Sequence, residues 1–357
     1  MDNGGIDLGD IRINKLPVPT WNWLKVNEKT VAVPSNVVAA VAEVETLPEE
    51  VSVLAGVSDL AVYGLDSVEL GAGEEYKEFV NGTGVGVAIY SVAGGVKASE
   101  PIRVTVNLSE QADAGEINRM VFELGDDAEL TAVVTFKGKS SFAANDIRIK
   151  AGKNAVLNLV EIFQQDAETG FVDSIGGVYD ETAGLNLIQL VTNDGDLSLG
   201  CTSELEGAKS YLNIETGYLV KNQDTLDINY VARHKGENTD SKINVSGVLR
   251  NDAKKIFRGT IDFINGCAGA KGDEREDVLL MDDGVSNSTV PLILCAEEDV
   301  EGTHGASIGK ISEEVLLYFM SRGIKEADIN ELMAQSRIDA VAGRIPDEKT
   351  RQLLLAE

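Results

Sequence analysis

The side chains best suited to metal or redox chemistry are few: two histidines, His234 and His304, and three cysteines, Cys201, Cys267 and Cys295. Imidazole ligates ferrous iron, zinc and copper, and thiolates suit softer ions and iron–sulfur clusters. His304 sits in the turn-rich stretch "DVEGTHGASIGKI", and His234 in "NYVARHKGENTDS" at the end of an apolar run. The cysteines form no CxxC pair and no zinc-type spacing, so they are ligands only where the fold gathers them. The plainer expectation for each is a small buried hydrophobe, and for each histidine a packed or surface role. No P-loop, GxGxxG after a strand, GxSxG or HExxH is present.

The elements that position these residues sit in an acidic chain of 357 residues, with 31 basic and 59 acidic side chains and a formal charge of −28. Such a surface repels phosphate backbones and anionic lipid, which argues against nucleic-acid or membrane-surface partners. Apolar residues make up 43% and aromatics only 5%, with 36 glycines against 7 prolines, a composition of short strands and tight turns. Three scattered cysteines fit a reducing compartment. The start, Met1 to Asp10, has neither the basic nor the apolar region of a signal peptide, and no run of 18 apolar residues occurs, so a cytoplasmic location is expected.

From about Val85 to Leu294 one unit recurs: a short alternating apolar run, then Gly, Asn or Asp. Val85–Tyr90, Ile102–Leu108, Leu130–Phe136, Ala155–Ile162, Leu185–Val191, Tyr211–Val220, Leu226–Arg233 and Ile243–Leu249 are examples. The segments "INRMVFELGDDAELTAVVTF" and "NDIRIKAGKNAVLNLVEI" each read as strand, polar turn, strand. This rhythm fits a sandwich, a barrel or a solenoid, and the self-similarity favours the solenoid. At Ile311 the pattern changes. Ser312 is an N-cap, Glu313 and Glu314 fill a first turn, and Gly323 is a C′ residue. A second helix carries Ile329, Leu332 and Met333 on one face, and "DEKTRQLLLAE" reads as a last short one. The expected division is therefore 1–84, partly irregular, 85–309, a β core, and 310–357, a helical region. Within the first part Trp21 and Trp23, in "LPVPTWNWLKV", are expected to be packing anchors.

Three segments between Asp224 and Met333 carry a resemblance: "TDSKINVSGVLRNDAKKIFRGTIDF", "EDVLLMDDGVSNSTVPLILCAEEDVEGTHGASIGKI" and "EEVLLYFMSRGI". In their order of motifs they resemble the SufB/SufD family of the SUF iron–sulfur cluster assembly system. Weaker similarity covers "GVGVAIYSVAGGVKASEPIRV" and "LPVPTWNWLKV". The resemblance implies a mainly β chain with a right-handed parallel β-helix core and helical ends. It implies pairing with a second SufB/SufD-type protomer, a copy of itself or a paralogue. It also implies docking of a SufC-type ABC ATPase on the C-terminal helices, around Tyr318, Phe319, Arg322, Gly323 and Ile324. ATP hydrolysis then belongs to that partner, and no nucleotide is expected on this chain. A transient iron–sulfur cluster is held between protomers, with His304 at the family's His-Gly position as candidate ligand and His234 matching a second family histidine. Gly302, Glu276 and Leu294 depart from the pattern, at positions near which members carry Cys, Cys and an acid. That tilts the expectation to a SufD-like or minimal member, a scaffold and not an enzyme. Two other readings are a β-solenoid carbohydrate-active enzyme with paired carboxylates, and a passive structural homomer.

Overall fold

The computed structural model describes residues 8–109, 114–167 and 169–356; Met1–Asp7, most of the acidic start, lie outside them. A two-stranded antiparallel hairpin opens the chain, β1 (Leu8–Ile13) and β2 (Lys29–Pro34), followed by β3 (Val37–Ala39), β4 (Val41–Thr46), β5 (Val51–Val57) and the helix α1 (Glu74–Gly82). Sixteen further strands form the body. They are β6 (Val87–Val92), β7 (Ile102–Ser109), β8 (Gly115–Leu124), β9 (Glu129–Lys139), β10 (Phe142–Ala151), β11 (Val156–Gln165), β12 (Gly170–Tyr179) and β13 (Gly184–Val191). Then come β14 (Leu197–Leu205), β15 (Tyr211–Val220), β16 (Thr225–His234), β17 (Asp240–Leu249), β18 (Lys254–Phe263), β19 (Ala270–Leu280), β20 (Ser286–Cys295) and β21 (Val300–Gly309). Three helices end the chain: α2 (Glu313–Met320), α3 (Glu326–Ala342) and α4 (Glu348–Leu355).

Even-numbered strands stack in parallel as one sheet, β20-β18-β16-β14-β12-β10-β8-β6, and odd-numbered ones as the other, β21-β19-β17-β15-β13-β11-β9-β7. The chain alternates between them, and the result is a β-solenoid of about seven turns. Successive coils align residue on residue, so like meets like: Phe163 sits in register with Phe136, their rings stacked at 5.0 Å, and Phe171 meets Phe136 edge-on from the other sheet. Inward residues of both sheets, among them Leu130, Leu157 and Leu185 of the odd-numbered one and Ile147 and Ile175 of the even-numbered one, fill a continuous apolar lumen. Each such side chain contributes roughly 1.5–3 kcal/mol on burial. The turns are as regular as the strands. Asp127, Asn154, Thr182, Lys209 and Asn238 all take left-handed backbone angles, φ 56–61°, at one corner. There each turn hands a backbone bond to the next coil, as Asn154 N–H donates to Glu181 O at 2.9 Å. Asn and Asp supply most of these positions because their short polar side chains tolerate that conformation.

The N-terminal segment is strapped to the outside of the even-numbered sheet. Ile13, Val33, Tyr76 and Val80 pack on Ile117, Ala144 and Val172. Asn14 Nδ2 donates to Asp227 Oδ1 at 2.7 Å, and Arg258, fully buried, bonds both Asp227 (2.7 Å) and the Val26 carbonyl (2.6 Å). Trp21 and Trp23, expected as anchors, are instead 75% and 73% exposed. Leu16 and Val26 do the anchoring, and the tryptophans ride on the short turn between them. In the C-terminal region α3 lays Ile338, Val341 and Ala342 on Val133, Val160, Ile188 and Leu190 of the odd-numbered sheet. Ile329 is buried and Met333 half-buried as expected, whereas Leu332 faces solvent, because the helix rolls towards the Ala334–Ile338–Val341 stripe. No helix among the described residues is long and apolar enough to cross a membrane.

Candidate functional site at the open end of the solenoid

The last coil consists of β20 and β21, which pair only with β18 and β19 on one side; among the described residues no strand covers the other. β20 reads SNSTVPLILC, ten residues without a charge, and Pro291 at its middle is tolerated because an edge strand need not donate from every residue. β21 is exposed from Glu301 onwards and carries His304. His304 lies in register with Glu274 of β19, a residue whose side chain turns into the lumen.

A charged layer lies beneath this end. Lys255 of β18 pairs with Glu276 of β19, both buried, and Thr289 of β20 donates to Glu276 Oε2 at 2.5 Å. Glu274 is also buried, and its Oε1 has no hydrogen-bond partner among the described residues. Burial pushes the Glu274 carboxyl up to about 7 against the pull of Lys255, and burial pulls the Lys255 ammonium down to about 7. Gly259 makes the layer possible, since a Cβ there would lie 1.9 Å from Glu274 Oε2. On the outer side His304 borders a groove of about 890 Å³ against α3, shared with Asp273, Arg275, Arg337 and Arg344. Among the described residues no group of three or more His, Cys, Asp or Glu is placed to hold a metal.

The other candidate residues are dispersed. His234 closes β16 in the opposite sheet, buried, with Nδ1 2.7 Å from Thr239 Oγ1, Nε2 2.9 Å from Ser241 Oγ and its ring against Phe263. Burial lowers its pKa to about 4, so the ring is neutral and both nitrogens are engaged. Cys201 and Cys267 are buried as small hydrophobes, but Cys295 is exposed at the end of β20, its thiol donating to Glu297 O at 3.0 Å. The helix α2 is capped as the sequence implied, Val315 N–H donating to Ser312 Oγ, and Gly323 takes φ +86° after it. It buries no residue. Leu317 is 69% and Tyr318 51% exposed, and Arg322 lies over the Tyr318 ring at 4.4 Å, with Phe319 and Ile324 half-buried behind. Sequence reasoning missed Lys255 and Glu274, and singled out Glu276 only as a departure from the family pattern. Their signal is charge at the inward phase of strands whose neighbours there are apolar.

A family model described as the SufBD core domain of SUF-system FeS cluster assembly matches residues 106–337. The iron–sulfur cluster assembly protein SufD of Bacillus subtilis is 23% identical over 286 residues, 76% of this chain and 63% of the relative. An iron–sulfur cluster assembly SufBD family protein of Staphylococcus haemolyticus is 32% identical over 115 residues, 32% of this chain and 25% of the relative. The chain thus spans less than two thirds of the length of these relatives. Since the core-domain match takes in well over half of the sequence and falls on the solenoid itself, the chain belongs to the SufBD family of SUF-system iron–sulfur cluster assembly proteins.

Proposed function

We propose that this chain is a non-enzymatic scaffold subunit of a cytoplasmic iron–sulfur cluster assembly complex. The observation that carries the reading is the uncovered last coil, a charge-free edge strand beside a strand bearing an exposed histidine. Such an edge adds a strand from another chain. A second SufB/SufD-type protomer pairs there, and His304 contributes one ligand to iron or a nascent cluster held as cargo between the two. The partner completes the ligand set. A shell of imidazole and carboxylates holds iron more weakly than four thiolates, which suits delivery. The exposed apolar face of α2, with Leu317, Tyr318 and the Arg322-stacked ring, docks a SufC-type ABC ATPase, and nucleotide chemistry stays with that partner. His234, sealed in the lumen, supports the fold near this end. The carboxylate pair Glu161–Asp173 is fully buried, which closes it to a sugar chain and disfavours the glycosidase reading.

The test is co-expression with a SufC-type ATPase and a SufB-type protomer, followed by anaerobic cluster formation. His304→Ala should lower the cluster yield at least tenfold while leaving the recovered complex intact. An unchanged yield removes His304 from the site, and failure to recover any complex removes the scaffold reading.

A further inference from the structure

Midway along the lumen two carboxylates face each other from opposite sheets, Glu161 of β11 and Asp173 of β12, neither of them exposed. Two amides bridge them and hold them against each other. Asn145 Nδ2 donates to Asp173 Oδ1 at 2.7 Å and to Glu161 Oε1 at 3.3 Å. From the other side Gln189 Nε2 donates to Glu161 Oε2 at 2.7 Å and to Asp173 Oδ2 at 3.3 Å. Behind Asn145, Asn118 Nδ2 donates to Asn145 Oδ1 at 2.7 Å. Behind Gln189, the Tyr230 hydroxyl donates to Gln189 Oε1, and the Thr216 hydroxyl, 2.8 Å from the Tyr230 oxygen, is left to donate to it. Both chains of bonds therefore run donor-first towards the pair. The titratable groups that face it are Cys201 from β14, Tyr230 from β16 and Tyr76 from α1, all neutral at ordinary pH. Among the described residues neither carboxylate has an ion-pair partner.

Two ionised carboxylates in contact in a dry lumen repel strongly, whereas one O–H between them turns repulsion into a charge-assisted bond. The remaining single negative charge matches the amide hydrogens that point at it. We propose that Glu161 and Asp173 hold one shared proton, and that this pair is a pH-sensitive clasp joining the two sheets at the middle of the solenoid. In the unfolded chain both acids titrate near about 4. Burial raises both in the fold, Asp173 to about 7 and Glu161 well above its ordinary value. A raised carboxyl pKa gives stability that is full below the unfolded value and is lost as pH climbs through the folded one. The clasp is therefore at full strength below about pH 4 and weakens from there as pH climbs through about 7, its proton passing to solvent as the coil opens.

Infrared spectroscopy of the full chain reads the proton directly. At about pH 7 the folded protein should show a protonated, exchange-protected carboxyl band. That band should persist in Glu274→Gln and vanish in both Glu161→Gln and Asp173→Asn. No band in the wild-type protein, or its loss in Glu274→Gln, overturns the proposal without needing either lumen variant to fold. In thermal unfolding, Glu161→Gln should flatten the fall in midpoint between about pH 5 and about pH 7 relative to the wild-type chain. A slope equal to that of the wild-type chain overturns it as well.

Discussion

At its N-terminal end the solenoid is closed by strands that turn back: β4 runs antiparallel to β7, and β5 antiparallel to β6. At its C-terminal end β20 and β21 keep the parallel register of every coil before them and stop. The closing strands are six and seven residues long, their register breaks between Val44 and Thr46 and between Leu54 and Val57, and β4 carries Glu43 and Glu45. Short length, irregularity and charge are the features that keep an edge from pairing with another chain. The final coil has ten-residue strands in unbroken register, and β20 has no charge. One end carries the features that oppose strand pairing and the other lacks them.

The contrast can be broken first by spoiling the open edge. Ile293→Lys in β20 should weaken pairing with a second SufB/SufD-type protomer by roughly 100-fold, about 2.7 kcal/mol. Leu54→Lys in β5, of similar exposure, should leave it unchanged; sedimentation equilibrium decides. A second contrast is the strap that holds the N-terminal segment to the even-numbered sheet. Arg258→Leu leaves Asp227 charged and buried, and should cost roughly 3–5 kcal/mol in denaturant unfolding. Lys97→Leu, which removes an exposed pair with Glu129, should cost at most about 1 kcal/mol. The exposed helix α2 offers a third contrast. Leu317→Asp should weaken ATPase binding by about tenfold or more by calorimetry, whereas Leu353→Asp on α4, also exposed, should not. Smallest is the cap of α2. Ser312→Ala should reduce stability of that helix by about 1 kcal/mol, read as faster amide exchange over Val315–Met320 with the β core unaffected.

Much of this architecture was legible in the sequence, because half-exposed strands advertise themselves by alternation. Tyr211–Val220 reads directly as a strand, inward leucine and isoleucine between polar residues, and the structure has it at those bounds. Gly170–Tyr179 and Leu197–Leu205 do not read so, and the reason is physical. The N-terminal segment covers their outer face, burying both sides and erasing the alternation, as in any doubly covered parallel sheet. Gly200 shows how tight that cover is, since a Cβ on it would lie 2.5 Å from the backbone of Gly71. The exposed tryptophans escaped for the opposite reason: nothing in "PTWNW" says which neighbours will take the anchoring. Of the open end, His304 was found through the resemblance of its segment. The charged layer under it was not, because Lys255 on β18 and Glu274 and Glu276 on β19 meet only where the two strands of one coil face each other across the lumen.

Amide hydrogen exchange on the chain alone and in complex with a SufB/SufD-type protomer tests the central claim most directly. The account predicts that exchange slows across Ser286–Cys295 and Val300–Gly309 on binding, and stays as it was across Val41–Thr46 and Val51–Val57. New protection at the N-terminal strands, with none in the last coil, would contradict it.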